Sequence, residues 1–195
     1  NALLMTSRAG IVTTVRFEPP GSAPLPTLVF LHGFGGLMTP YVETIGRALQ
    51  GRWLVVAPAL DPVGAWRTKR GQAVLRETLA QLPPRADRSR VFLVGLSNGA
   101  IGALKAAQEE DVRRQVAGLA LLSGISWGGD TLAGVRVLVV AGRRDARFPL
   151  TFVEEKTAEL VRSGAVVEAL TLDASHALVL SHAEAWVSKF AAWAE

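Results

Sequence analysis

The serine of Gly95-Leu96-Ser97-Asn98-Gly99 is the first residue whose surroundings suggest chemistry. A serine hydroxyl becomes a nucleophile when a tight strand-to-helix turn exposes it and a neighbouring base takes its proton. Glycines on either side let adjoining backbone approach without a Cβ clash. With 19 glycines among 195 residues, chance alone yields about 0.1 Gly-x-Ser-x-Gly strings, yet the chain holds two. The second, Gly124-Ile125-Ser126-Trp127-Gly128, runs on into Gly129-Asp130 and reads as a loop. Ser97 instead follows the apolar run Val91–Val94 and precedes Asn98–Leu104, a stretch of small and apolar residues suited to a helix packed closely on a sheet. Ser97 is therefore the expected nucleophile, with a helix N-terminus behind it that favours negative charge.

Three histidines are available as base. His176 lies four residues beyond the apolar run Val166–Leu172, where a loop can lean over the end of a sheet, and it is the expected base. His182 opens the final helical pattern and reads as a surface or packing residue, whereas His32 closes the first buried strand. The base requires a carboxylate to fix its tautomer and stabilise the imidazolium. Asp145, in Gly142-Arg143-Arg144-Asp145 just past Val135–Ala141, is the expected partner, with Asp130 and Asp173 as alternatives. His32-Gly33-Phe34-Gly35-Gly36 is a turn whose backbone N–H groups can point inward. The amides of Phe34 and Asn98 are the expected oxyanion donors. The same turn lacks Gly-x-Gly-x-x-Gly and the Lys-Ser/Thr of a phosphate-binding loop, so no nucleotide cofactor is expected.

These residues must be carried by elements, and the pattern supplies them. Short apolar runs recur at Thr27–Leu31, Trp53–Ala57, Val91–Gly95, Leu119–Leu122, Val135–Ala141 and Val166–Leu172. Unalternating runs of this length read as parallel strands covered on both faces. Ile11–Phe17 alternates more and is expected at a sheet edge. Helical patterns fall between them: one entered through Thr39-Pro40, one ending at Pro83-Pro84, then Asn98–Glu110, Leu150–Ser163 and Ser181–Ala194. The expected architecture is α/β: one domain over residues 1–195, with a mostly parallel sheet of about seven strands and helices on both faces. Ser123–Gly134 joins two strands in a dozen residues, which leaves no room for a cap.

Composition narrows the classes. Hydrophobic residues make up 49% and charged residues 19%, with net charge +4, a balance incompatible with disorder. No apolar run approaches the ~18 residues of a membrane span. There is no cysteine, which removes thiolate nucleophiles and zinc–thiolate sites; no metal is expected. The basic charge comes mainly from 17 scattered arginines, densest at Arg85–Arg90 with Asp87 among them, so no nucleic-acid partner is expected. Asn1-Ala2-Leu3-Leu4 has no basic segment ahead of a long apolar stretch, which makes the cytoplasm the expected compartment.

Taken in order, His-Gly-Phe-Gly-Gly, Gly-Leu-Ser-Asn-Gly, Gly-Arg-Arg-Asp and Ser-His resemble the α/β-hydrolase superfamily over Ile11 to Ala194. The nearest branches are the small lidless carboxylesterases, acyl-protein-thioesterase-like and dienelactone-hydrolase-like enzymes. The resemblance implies a Ser97, Asp145, His176 triad, the Phe34 and Asn98 amides as oxyanion hole, and a structural His32. One departure is Ala174-Ser175-His176, where the pattern carries Gly-His. The expected substrate is a small ester or thioester. Trp66, Arg67 and Trp127 are expected at the pocket rim, with Lys69 and Arg70 beside them, unless Trp66 and Trp127 merely cover the open sheet end. A non-catalytic binding protein on the same fold is the alternative.

Overall fold

A computed structural model describes residues 3–9, 12–36, 38–126 and 132–195. Among these, eight strands are ordered β1-β2-β4-β3-β5-β6-β7-β8 in a single sheet. In chain order they are β1 (Leu3–Ala9), β2 (Val12–Glu18), β3 (Leu25–Leu31), β4 (Leu54–Pro58), β5 (Ala86–Leu96), β6 (Gly118–Leu122), β7 (Arg136–Gly142) and β8 (Val166–Leu172). The helices are α1 (Met38–Ala48), α2 (Lys69–Ala80), α3 (Asn98–Ala106), α4 (Glu110–Arg113), α5 (Leu150–Arg162), α6 (Leu178–Ser181) and α7 (Ala183–Ala194).

From β4 to β8 every neighbouring pair is parallel, while β1–β2 and β2–β4 are antiparallel. β1 is one strand more than the apolar runs indicate, because Leu3–Ala9 mixes Thr, Ser and Arg among its apolar residues. Its pairing moves β2 off the edge expected for Ile11–Phe17; Ile11 itself lies outside the described residues.

Alternate residues of each central strand feed two separate cores. On one face Val29, Leu31, Leu93, Leu119 and Val137 pack under α2, α3 and α5, with Leu75, Leu79, Ala103, Leu104 and Leu160. On the other, Leu28, Phe30, Phe92, Val94 and Leu138 pack under α1, α6 and α7, with Ile45, Leu178, Trp186 and Phe190. Burial on both faces is the physical reason those strands read as unbroken apolar runs. β8 departs from that expectation. It pairs only with β7 and is largely exposed, Val166 to 58%.

The helix read over Asn98–Glu110 ends at Ala106 and a short turn, α4, follows. The Arg113 guanidinium donates to the carbonyls of Ala107 and Gln108, caps the end of α3 and redirects the chain. The parallel pairing of β6 with β7 agrees with a crossover through 123–134, of which 127–131 lie outside the described residues. None of the described residues forms a cap domain; all belong to the sheet, its helices or their connections. No described helix is long and apolar enough to cross a membrane.

Candidate active site

Ser97 sits between the last residue of β5 and the first of α3, with φ 54° and ψ −114°. That conformation is uncommon and strained for a non-glycine residue, and it turns the side chain out of the strand-to-helix corner. Close packing holds it. A Cβ on Gly95 would lie 2.4 Å from the Ala100 nitrogen, and one on Gly99 1.9 Å from the Leu31 carbonyl oxygen. The Ser97 amide donates to the Leu122 carbonyl at 2.9 Å, tying the corner to the end of β6.

The second Gly-x-Ser-x-Gly string has its explanation here. A Cβ on Gly124 would fall 2.5 Å from the Ser97 carbonyl oxygen, so Gly124 is a packing partner of the corner. Ser126 has no histidine bonded to it among the described residues.

The ends of β7 and β8 bring two distant side chains to Ser97. His176 Nε2 lies 3.1 Å from Ser97 Oγ, and His176 Nδ1 lies 2.8 Å from Asp145 Oδ2. With the carboxylate accepting from Nδ1–H, Nε2 is left as the acceptor for the serine hydroxyl. The Asp145 side chain is 1% exposed, but its charge is satisfied: Oδ1 accepts from the Arg147 and Phe148 amides at 2.9 and 3.1 Å. A Cβ on Gly142 would come within 2.4 Å of the Ala174 carbonyl oxygen, so this glycine admits the loop that carries His176. Phe148 stacks on the imidazole, with ring centroids 5.9 Å apart and planes 8° from parallel.

The alternatives within the described residues are engaged elsewhere. Asp173 pairs with Arg144 at 3.0 Å, and Asp130 lies outside the described residues. The half-buried His182 meets the Ser181 hydroxyl at 2.9 Å beside a surface hollow of about 870 Å3 between α1 and the α6–α7 junction. His32 is buried under the turn it begins, where Nδ1–H donates to the Gly33 carbonyl at 2.7 Å. Burial holds its imidazole below the usual histidine range, although the Gly33 bond and Asp61 act in the opposite direction.

A cavity of about 410 Å3 opens over Ser97 and His176. Its lining includes Phe34, Tyr41, Leu96, Arg144, Ala146, Arg147 and Ser175. Burial pushes the Tyr41 phenol above its usual value, so it stays a neutral donor. Phe34 is exposed in the turn after His32, and the Gly35 amide pins that turn by donating to the Pro62 carbonyl at 2.7 Å. Asn98 is the first residue of α3, so its N–H has no acceptor within the helix. Its side-chain amide donates to the Val63 carbonyl at 2.8 Å.

Two of the residues expected at the rim, Trp66 and Arg67, do not line this cavity. Trp66 is 1% exposed, lies beneath Gly102 of α3, and donates Nε1–H to the His32 carbonyl at 2.8 Å. It braces the Gly-rich turn from below, consistent with a covering role at the sheet end. Arg67 is exposed but does not line the cavity. Trp127 lies outside the described residues. Tyr41 and Phe148 were not singled out by the sequence. The signal for Phe148 is its place three residues after Asp145, where an aspartate commonly caps its own following amides. No cluster of three or more His, Asp or Glu able to hold a metal occurs among the described residues.

No family model matches the chain, and no curated protein matches it in sequence. Solved structures do. An esterase from Pyrococcus furiosus is similar over 99% of this chain and 91% of its own, at 14% identity and TM-score 0.73. The chain has the α/β-hydrolase fold. A Klebsiella pneumoniae protein assigned as a dienelactone hydrolase is similar over 100% of this chain and 98% of its own, at 17% identity and TM-score 0.72. A thermostable esterase is similar over 97% of this chain at 18% identity and TM-score 0.71, and the chain spans 60% of that protein's length.

Proposed function

We propose that the protein is a serine hydrolase acting on carboxylic esters or thioesters. The observation that carries this reading is the Ser97–His176–Asp145 relay, with contacts of 3.1 and 2.8 Å on a serine held at positive φ. The likeness to esterases in fold adds to it. His176 Nε2 takes the Ser97 proton as Oγ bonds to the acyl carbon, and the resulting oxyanion is held by the Phe34 and Asn98 amides. The tetrahedral intermediate collapses and breaks the bond to the leaving oxygen or sulfur, which receives the proton from His176. Water, deprotonated by the same imidazole, then attacks the acyl-serine and releases the carboxylic acid, returning the proton to Ser97. Asp145 holds the imidazole through Nδ1 and stabilises the imidazolium in both halves. None of these steps calls on a metal or organic cofactor.

The test is covalent labelling and turnover together. A fluorophosphonate probe is expected to label Ser97 in the folded protein. Ser97→Ala is expected to abolish the label and to reduce kcat on p-nitrophenyl esters by about 10⁴–10⁶. Absence of label, with no turnover of p-nitrophenyl esters or acyl thioesters of graded chain length, supports a non-catalytic binding protein on this fold.

A further inference from the structure

Among the described residues, those that line the Ser97 cavity include two exposed arginines, Arg144 and Arg147, and no acidic residue. Arg144 is already paired with Asp173: Nε lies 3.0 Å from the carboxylate, and Nη2 donates to the Asp173 carbonyl at 2.7 Å. Arg147 differs. Its guanidinium has no hydrogen-bond or ion-pair partner among the described residues, while its backbone amide is fixed by Asp145 Oδ1 at 2.9 Å. The acid that orients the base thus also anchors the chain from which the free cation extends. The remaining walls offer apolar surface from Phe34, Leu96, Ala146 and Ala177 and neutral hydroxyls from Tyr41 and Ser175.

Two explanations compete for a free arginine at this place. As a solvated surface charge it would raise the local potential and stabilise any oxyanion, for neutral and anionic substrates alike. As a recognition group it would select substrates with a second negative charge, because a planar guanidinium pairs with a carboxylate through two parallel N–H···O bonds. The second is favoured because Arg147 borders the Ser97 cavity next to apolar lining from Phe34, Leu96, Ala146 and Ala177, and among the described residues no carboxylate of the lining competes for it.

We infer that Arg147 is a specificity-determining residue and that the preferred substrates are esters carrying a carboxylate a few atoms from the scissile carbonyl. This inference rests on the hydrolase reading above and names its substrate class. The carboxylate can belong to the acyl part, as in a half-ester of a dicarboxylic acid, or to the leaving alcohol, and the experiment separates the two.

In the acyl arm, mono-p-nitrophenyl glutarate is compared with p-nitrophenyl pentanoate. In the alcohol arm, 3-acetoxybenzoate is compared with phenyl acetate. In one arm the full-length wild-type protein is expected to favour the anionic ester up to about fivefold in kcat/KM at low salt, the size of a solvent-accessible bidentate pair. The advantage is expected to shrink in 0.5 M NaCl. Arg147→Gln is expected to bring the anionic-to-neutral ratio close to one, and Arg147→Lys to retain part of it. Equal rates in both arms, or an Arg147→Gln variant that slows both members of a pair equally, overturn the inference while leaving the hydrolase reading intact. Failure of every ester together with absence of fluorophosphonate labelling overturns both.

Discussion

His32 and His176 stand at the ends of two strands of one sheet yet carry different burdens. His176 keeps one edge open to the cavity and the other on a carboxylate. His32 is 1% exposed, its ring edge against Trp66, and burial favours its neutral form. A histidine whose folded pKa lies below its unfolded value of about 6.5 binds its proton more readily in the unfolded chain. The penalty is absent well above pH 6.5 and grows as pH falls through 6.5 toward the lowered folded value. The melting temperature is therefore expected to drop between pH 7.5 and 5.5, with a shallower drop in His32→Asn, whose amide can still donate to the Gly33 carbonyl. Calorimetric scans of the two proteins across that range provide the measurement, and a flat wild-type profile would contradict the assignment. His32 was legible as a supporting residue only through the family resemblance, since position after a strand does not distinguish it from a base. Burial does, and burial depends on Trp66, 34 residues away in the chain.

Among the elements, the strand–turn–helix around Ser97 is the most tightly determined. Val91–Val94 and the small residues of α3 made the turn readable, because both signals are local. The contacts that hold it are not local: Gly99 meets Leu31 of β3, and Gly124 meets Ser97 from beyond β6. Gly99→Ala forces backbone apart and is expected to cost at least about 2 kcal/mol of stability, measurable by urea unfolding. Gly124→Ala presses on the Ser97 carbonyl directly. It is expected to lower kcat by about 10²-fold, the usual consequence of displacing a reacting group by about 1 Å. Gly134→Ala serves as the comparison. Its Cβ meets nothing within 4 Å, although its φ of +74° adds some strain, so activity is expected to stay near wild type. The edges were less legible. The apolar run of β1 stops after Leu3, Leu4 and Met5, and β8 resembles a buried strand in sequence although only one neighbour pairs with it.

The whole molecule holds the loop that carries His176 through the last helix. Phe190 of α7 packs against Trp53, Phe92, Trp186 and Trp193, with centroid distances from 5.2 to 6.4 Å. Trp186 also donates Nε1–H to the Val179 carbonyl at 3.2 Å, which secures α6 just after His176. Phe190→Ala removes the centre of this cluster and is expected to destabilise by about 3–5 kcal/mol, seen as a lower denaturation midpoint at unchanged slope. By itself the sequence determined the alternation of strand and helix, the two-faced burial of the central strands, and the order in which Ser97, Asp145 and His176 each follow a strand. Those properties are set by local periodicity and turn chemistry, which act within a few residues. Only the tertiary structure decided that β8 lies at an open edge, that Trp66 is buried beneath the Gly-rich turn, and that Arg147 borders the cavity. These depend on strand order and on how loops from separate parts of the chain pack together, which residues near in sequence do not encode.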